Sequence, residues 1–168
     1  CNAGFVVAGR LVQVLRGASF DAVLRERILA PLGLRATGTL PEQAILQRAA
    51  VGHFVDPNGT AHVVPVWSLQ HSNAPAGATP FTTADELLAF ARMHVDDGVA
   101  PGGARLLSAK AARAMRARQI ELHGSAGAMA DAGGLGWELK DGIGGTLVGH
   151  SGVTIGQMAW LDVVPERR

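Results

Sequence analysis

Three apolar runs near the C-terminal end restrict the fold more than any other feature of the chain. Leu135-Gly136-Trp137-Glu138-Leu139 alternates large apolar residues with other types. Gly145-Thr146-Leu147-Val148 follows after a Lys140-Asp141-Gly142 turn, and Gln157-Met158-Ala159-Trp160-Leu161 begins after Gly156. Short apolar runs of this kind, bounded by turn residues, read as strands. Connections this brief allow only antiparallel neighbours, because a parallel crossover takes a dozen residues or more. An antiparallel meander is therefore expected over about residues 134–168. Between its last two strands lies Gly149-His150-Ser151-Gly152-Val153-Thr154-Ile155-Gly156. An imidazole, a hydroxyl and bare glycine backbone meet there, where one strand gives way to the next. Glycine lets a ligand approach the backbone, and histidine can change protonation near neutral pH. Two readings stand side by side: the wall of a reaction site, and a polar hairpin turn.

The first part, about residues 1–120, reads as helical. Val7, Leu11, Val14 and Leu15 fall on one helix face, which Ala8 and Val12 broaden and which is expected to be buried, with Asn2 placed to cap its start and Gly17 just past its end. Ser19 caps a second helix, Phe20 to Ala30, which Pro31 is expected to stop. Residues 38–80 are broken by prolines and read as irregular, with one short strand in Ala61 to Trp67 beyond the Asn58-Gly59 turn. Asn73-Ala74-Pro75-Ala76-Gly77 is a stiff loop followed by small residues able to lie against a site. Thr83 and Glu86 form the pattern of a capping box, and the helix they open ends at Gly98. Ser108 caps another helix reaching about Arg118, whose Lys110, Arg113, Arg116 and Arg118 read as a solvated basic face. Residues 123–134 are small and Gly-rich and read as a mobile loop. The chain opens one residue before a helix and stops in a turn after a strand. Both features predict a piece of something longer.

Composition narrows the function. Apolar residues make up 48% of 168 and charged residues 17%, enough for a core and too apolar for disorder. A net charge of +1 argues against a nucleic-acid partner. No apolar run is long enough to span a bilayer. The compartment stays open. The single cysteine, Cys1, leaves no disulfide framework and no Cys-based zinc site. The six histidines lack the spacing of metal ligands on a helix face, and phosphate-binding glycine loops are missing. No cofactor is expected. Ser151 fails as a nucleophile elbow, because Val153 stands where G-x-S-x-G needs glycine and the context is a strand. Neither lysine has a serine three residues before it, so S-x-x-K is also absent. What remains is part of a constellation: Asn2 beside a helix start, and the strand His150-Ser151-Gly152.

Those two features, in that order and separation, resemble the C-terminal part of the serine β-lactamase-related family of class C β-lactamases, D-alanyl-D-alanine carboxypeptidases and penicillin-binding-protein-like esterases. Cys1-Asn2-Ala3-Gly4-Phe5 is similar to the end of the family's Y-x-N motif, with the tyrosine just before residue 1. Pro75-Ala76-Gly77, Thr82-Thr83-Ala84-Asp85-Glu86-Leu87, Leu106-Leu107-Ser108 and Gly134-Leu135-Gly136-Trp137 match in order. Gly149-His150-Ser151-Gly152 resembles the family's G-H-[ST]-G, which replaces the K-T-G of true β-lactamases.

The resemblance implies an α+β chain with a partial β-lactamase/transpeptidase-like fold, residues 1–168 forming the C-terminal part of one domain. It implies that the Asn2 amide binds the substrate carbonyl and helps fix an active-site lysine. His150 then donates to the missing tyrosine or to a substrate carboxylate. Ser151 offers its hydroxyl, Gly152 keeps the strand surface clear, and Val153 supplies one N–H of an oxyanion hole. The nucleophilic serine, its lysine and the tyrosine lie outside this chain, which alone should not turn over substrate. Its partners are then a small-molecule or peptide substrate and the N-terminal half of the same protein. Histidine in place of lysine favours an esterase or peptidase-like member over an efficient β-lactamase. The competing reading is a non-catalytic module that uses the same cleft to bind peptidoglycan-type ligands.

Overall fold

The structure, a computed structural model, describes residues 1–123 and 129–167. The chain divides into two compact units: Cys1–Glu86 with Gly152–Ala159, and Leu87–Ser151 with Trp160–Arg168. None of the described helices is long and apolar enough to cross a membrane.

The first unit opens with α1 (Asn2–Arg16), which ends at a left-handed Gly17. Cys1, not Asn2, holds the cap position, and its carbonyl accepts the Gly4 N–H at 3.1 Å. Asn2 is the first helical residue, and no side chain caps this end. The stripe expected to be buried is open: Val7, Leu11, Val14 and Leu15 are 56–72% exposed. The reason is Gly9. A Cβ there would collide with the Pro75 ring, so α1 approaches the 3₁₀ turn His71–Ala76 through that glycine. The packed face is therefore the Gly9 side, which includes the half-buried Val6 and Val12.

Ser19 Oγ accepts the Ala22 N–H at 3.3 Å and caps α2 (Phe20–Leu24). The helix then widens into a π turn, Arg25–Leu29, and continues as α3 (Ala30–Leu32). Pro31 does not stop it. In a regular helix its ring would meet the carbonyl four residues back. The five-residue spacing, with the Ala30 N–H on the Arg25 carbonyl, relieves that crowding. Gly33, at φ 72°, ends the helix instead.

After the one-turn helix α4 (Pro41–Ala44), the stretch read as irregular holds a hairpin, β1 (His53–Val55) with β2 (Ala61–Val63). The Asp56 carboxylate holds its turn by accepting the Asn58 and Thr60 N–H groups, each at 2.9 Å. The His53 N–H donates to the Gly156 carbonyl at 2.9 Å, which ties this hairpin to Gly152–Ala159. Thr83 Oγ1 accepts the Glu86 N–H at 3.3 Å, one half of the expected capping box. The other half is missing, because the Glu86 carboxylate takes the Ala36 N–H at 2.8 Å and the Thr37 hydroxyl at 2.5 Å. Burial pushes that carboxyl up, but these bonds outweigh it and leave it below the ordinary glutamate value.

The second unit carries most of α5 (Ala84–Val95), then α6 (Ala109–Arg116), and most of an antiparallel sheet. Ser108 Oγ caps α6 through the Ala111 N–H at 3.1 Å. The sheet runs in chain order: β3 (Ile120–Glu121), β4 (Ala132–Gly133), β5 (Glu138–Gly142), β6 (Gly145–Thr154) and β7 (Gln157–Val163). The end of the expected mobile loop is thus a strand, with Ala132 opposite Leu139. Residues 124–128 of that loop lie outside the described residues. Ala132 gives no alternation signal in the sequence, yet it is fully buried in a cluster with Trp137, Leu139 and Val148. Phe90, Met115, Leu161 and Val163 pack against that cluster.

His94 precedes Asp96-Asp97 at the end of α5, a polar stretch that predicts an outward-pointing ring. It is instead 2% exposed, with the Phe90 ring 4.8 Å and the Trp137 ring 5.1 Å away. The α6 arginines are not simply solvated: Asp97 holds Arg113 at 2.8 Å and Arg116 at 2.5 Å.

Candidate functional site

The site is best built along β6. Pairing with β5 continues through Asp141↔Thr146 and Gly142↔Gly145, so the turn falls at Ile143-Gly144 and not at Lys140-Asp141-Gly142. β6 then runs ten residues, through His150-Ser151-Gly152 and on to Thr154, before a turn at Ile155-Gly156. The polar stretch is therefore strand, not turn. The hairpin-turn reading does not describe it.

Gly149 is buried, and a Cβ on it would collide with the Asp162 carboxylate and the Leu161 carbonyl oxygen. His150 is exposed and its Nδ1 lies 2.6 Å from the Ser151 carbonyl oxygen. A carbonyl oxygen can only accept, so the ring proton sits on Nδ1. The neutral ring then offers a lone pair at Nε2, and Nε2 becomes a donor only in the imidazolium. Ser151 is half-buried, while Gly152 and Val153 are exposed. Strand alternation puts His150, Gly152 and Thr154 on one face, and Ser151 and Val153 on the other. Asn2 is exposed at the start of α1.

Within the first unit, Gly152, Thr154 and Ile155 meet Val66, Trp67, Ala78 and Phe81 around a cavity of about 200 Å³. Of the five residues singled out from the sequence, Gly152 alone lines it. A Cβ added to Gly152 would meet nothing within 4 Å, and its φ is not positive. Neither crowding nor backbone geometry requires glycine there. Among the described residues, none with an ionisable side chain lines the wall. Thr79, also in the wall, has a buried hydroxyl without a hydrogen-bond partner among the described residues. Gly77 and Ala78 belong to the stretch read as able to lie against a site. Val66, Trp67 and Met158 were missed, because an apolar side chain lining a cavity looks in sequence like one lining a core. Their signal was weak: an apolar pair beside Pro65 in a segment with little helix or strand to bury it. Among the described residues no group of His, Cys, Asp and Glu could hold a metal ion.

A family model described as Beta-lactamase matches residues 1–168. Penicillin-binding protein 4 of Amycolatopsis lactamdurans is 43% identical over 166 residues, which cover 98% of this chain and 43% of that protein. The octameric penicillin-binding protein homologue from Pyrococcus abyssi superposes with a TM-score of 0.81 at 20% identity, over 99% of this chain and 35% of its own. D-amino acid amidase from Ochrobactrum anthropi SV3, complexed with L-phenylalanine amide, gives 0.69 at 25% identity, over 92% and 43%. The chain thus spans 43% or less of the length of each of these relatives. The α+β architecture, with its C-terminal antiparallel meander, is the β-lactamase/transpeptidase-like fold.

Proposed function

The chain belongs to the beta-lactamase family, and from that premise we propose that it is part of a serine hydrolase that cleaves an ester or amide through an acyl-enzyme. Residues 1–168 are the C-terminal part of one such domain. The nucleophilic serine and its lysine lie outside them, since no S-x-x-K occurs in the sequence.

The observation that carries this reading is Gly152. It has room for a side chain, lines a cavity and is free of backbone strain, which supports a ligand lying against the strand there. In this reading the serine oxygen attacks the substrate carbonyl as that substrate lies along β6. The Val153 N–H donates to the developing oxyanion, a bond worth about 3 kcal/mol in the transition state. The Asn2 amide binds on the helix side. Ser151 offers its hydroxyl to the substrate. The Nδ1–H to Ser151 carbonyl bond adds one refinement. With the ring proton on Nδ1, Nε2 of a neutral ring accepts a hydrogen bond from a hydroxyl such as the tyrosine's, and only the imidazolium donates there to a carboxylate. Histidine in place of lysine favours an ester or neutral amide over a carboxylate-bearing β-lactam. The amidase relative, with its phenylalanine amide, supports the same substrate class.

The partner proposed for the open stripe of α1 is the N-terminal half of the same protein. Its Val7, Leu11, Val14 and Leu15 form a continuous apolar face. The test is labelling of the full-length protein with a fluorophosphonate and with a fluorescent penicillin. Fluorophosphonate labelling with weak or no penicillin labelling is the expected result. Labelling by neither removes the hydrolase reading in favour of a non-catalytic binding module.

A further inference from the structure

We propose that a hollow beside α6, in the second unit, binds a small organic carboxylate with a short apolar tail. Arg113, Arg116 and Arg118 bring three guanidiniums to one cavity of about 280 Å³. Arg113 and Arg116 lie three residues apart on α6, and Arg118 follows just past its end. None of Asn2, His150, Ser151, Gly152 and Val153 lines this cavity, so a ligand there is independent of the hydrolase reading.

Charge comes first. One carboxylate, Asp97, serves two guanidiniums, Arg113 at 2.8 Å and Arg116 at 2.5 Å. That pairing leaves one positive charge over. The Arg116 side chain is only 12% exposed, where water screens it poorly and an unmatched charge is costly. Burial lowers the His94 pKa, and the Arg116 charge lowers it further, so Asp97 does not cancel that charge. Arg118 is better matched, with Glu121 at 2.8 Å and Asp141 at 2.7 Å. These carboxylates hold the guanidiniums in place without exhausting them. Each guanidinium carries five N–H groups, and its hydrogen bonds among the described residues use two. Planar forks with donors to spare suit a carboxylate. Glu166 shares the wall but forms no ion pair among the described residues, and its Oε2 would lie 3.0 Å from a Cβ placed on Gly145. This further negative group disfavours a doubly charged ligand. The floor selects the rest of the molecule. Leu139, Val148 and Pro165 are apolar. An apolar cavity of roughly 150 Å³ takes up benzene, so a tail of about six carbons fits here.

The test is calorimetric titration of the full-length protein with hexanoate, hexanamide and acetate. Hexanoate should bind saturably and at least tenfold more tightly than hexanamide, which lacks the charge, or acetate, which lacks the tail. Arg113→Gln should weaken hexanoate binding at least tenfold, because Asp97 then matches Arg116 alone. The Arg113 side chain is 68% exposed, so the fold tolerates the change. Glu166→Gln should tighten binding at least twofold by removing a like charge from the wall. His150→Ala, on β6, should leave it unchanged. A thermal melt of each variant reports whether it is folded. Hexanamide or acetate binding as tightly as hexanoate, or no saturable binding, overturns the proposal. So does full affinity in folded Arg113→Gln, no tightening by Glu166→Gln, or binding lost in folded His150→Ala.

Discussion

Gly149 and Gly152 stand on one strand with two residues between them, and the chain uses them in opposite ways. At Gly149 the strand is walled in. The Leu161 backbone and the Asp162 carboxylate occupy the space a side chain would need, and the preceding Val148 is 3% exposed in the cluster with Trp137 and Leu139. At Gly152 the same strand faces open space within 4 Å and borders a cavity. The amino acid is identical and the cause is not. In one place glycine is required by neighbours within the protein. In the other no neighbour among the described residues requires it. A short motif such as G-H-S-G can therefore hold one glycine that packing requires and one that it does not, and only the surroundings of each residue separate them.

The difference can be pressed from both sides. The largest effect belongs to the closed side. Leu139 is 2% exposed and pairs with Val148, so Leu139→Ala should cost about 2–5 kcal/mol in urea denaturation. A loss under about 1 kcal/mol would mean that this region is not closed.

Next comes pH. Burial holds the pKa of His94 down, with nearby Arg116 adding to it, to about 4 from 6.5. Between those values the unfolded chain binds a proton that the folded chain does not. Stability is therefore fully present above pH 6.5 and falls as pH drops toward 4, by a total on the order of 3 kcal/mol. His94→Phe should flatten that dependence, and a slope unchanged in the variant would contradict the assignment. Gly149→Ala follows, with about 1–3 kcal/mol of destabilisation from overpacking, read as a lowered Tm. The smallest effect lies in the cavity wall. Thr79→Val removes a buried, unpaired hydroxyl and should leave stability unchanged or raise it by up to about 1 kcal/mol. A clear loss would mean that the hydroxyl has a partner.

How much of this was legible in the sequence follows the range of the forces involved. Local signals read well: Ser19 and Ser108 are caps, Gly17 ends α1, and the Asn58-Gly59 turn joins a hairpin. Each is decided within a few residues. The strands of the meander also read well, because alternation and short turns suffice. Readings failed where a distant contact decided the outcome. The packing of α1 through Gly9 was missed because Gly9 meets Pro75, far away in sequence. Glu86 left its capping box for Ala36 and Thr37. His94 turned inward toward Trp137. At the candidate site, the strand His150-Ser151-Gly152-Val153 was legible as a motif. The tautomer set by the Ser151 carbonyl and the cavity at Gly152 were not, since both depend on how distant residues come together and not on residue type.

The central claim is that Gly152 is kept bare for a ligand and not for the fold. Gly152→Ala in the full-length protein tests it most directly, with thermal stability and fluorophosphonate labelling rate measured on one sample. The account predicts a stability change within about 0.5 kcal/mol and labelling slowed by at least tenfold. A variant that labels at the normal rate, or one that loses several kcal/mol of stability, would contradict it.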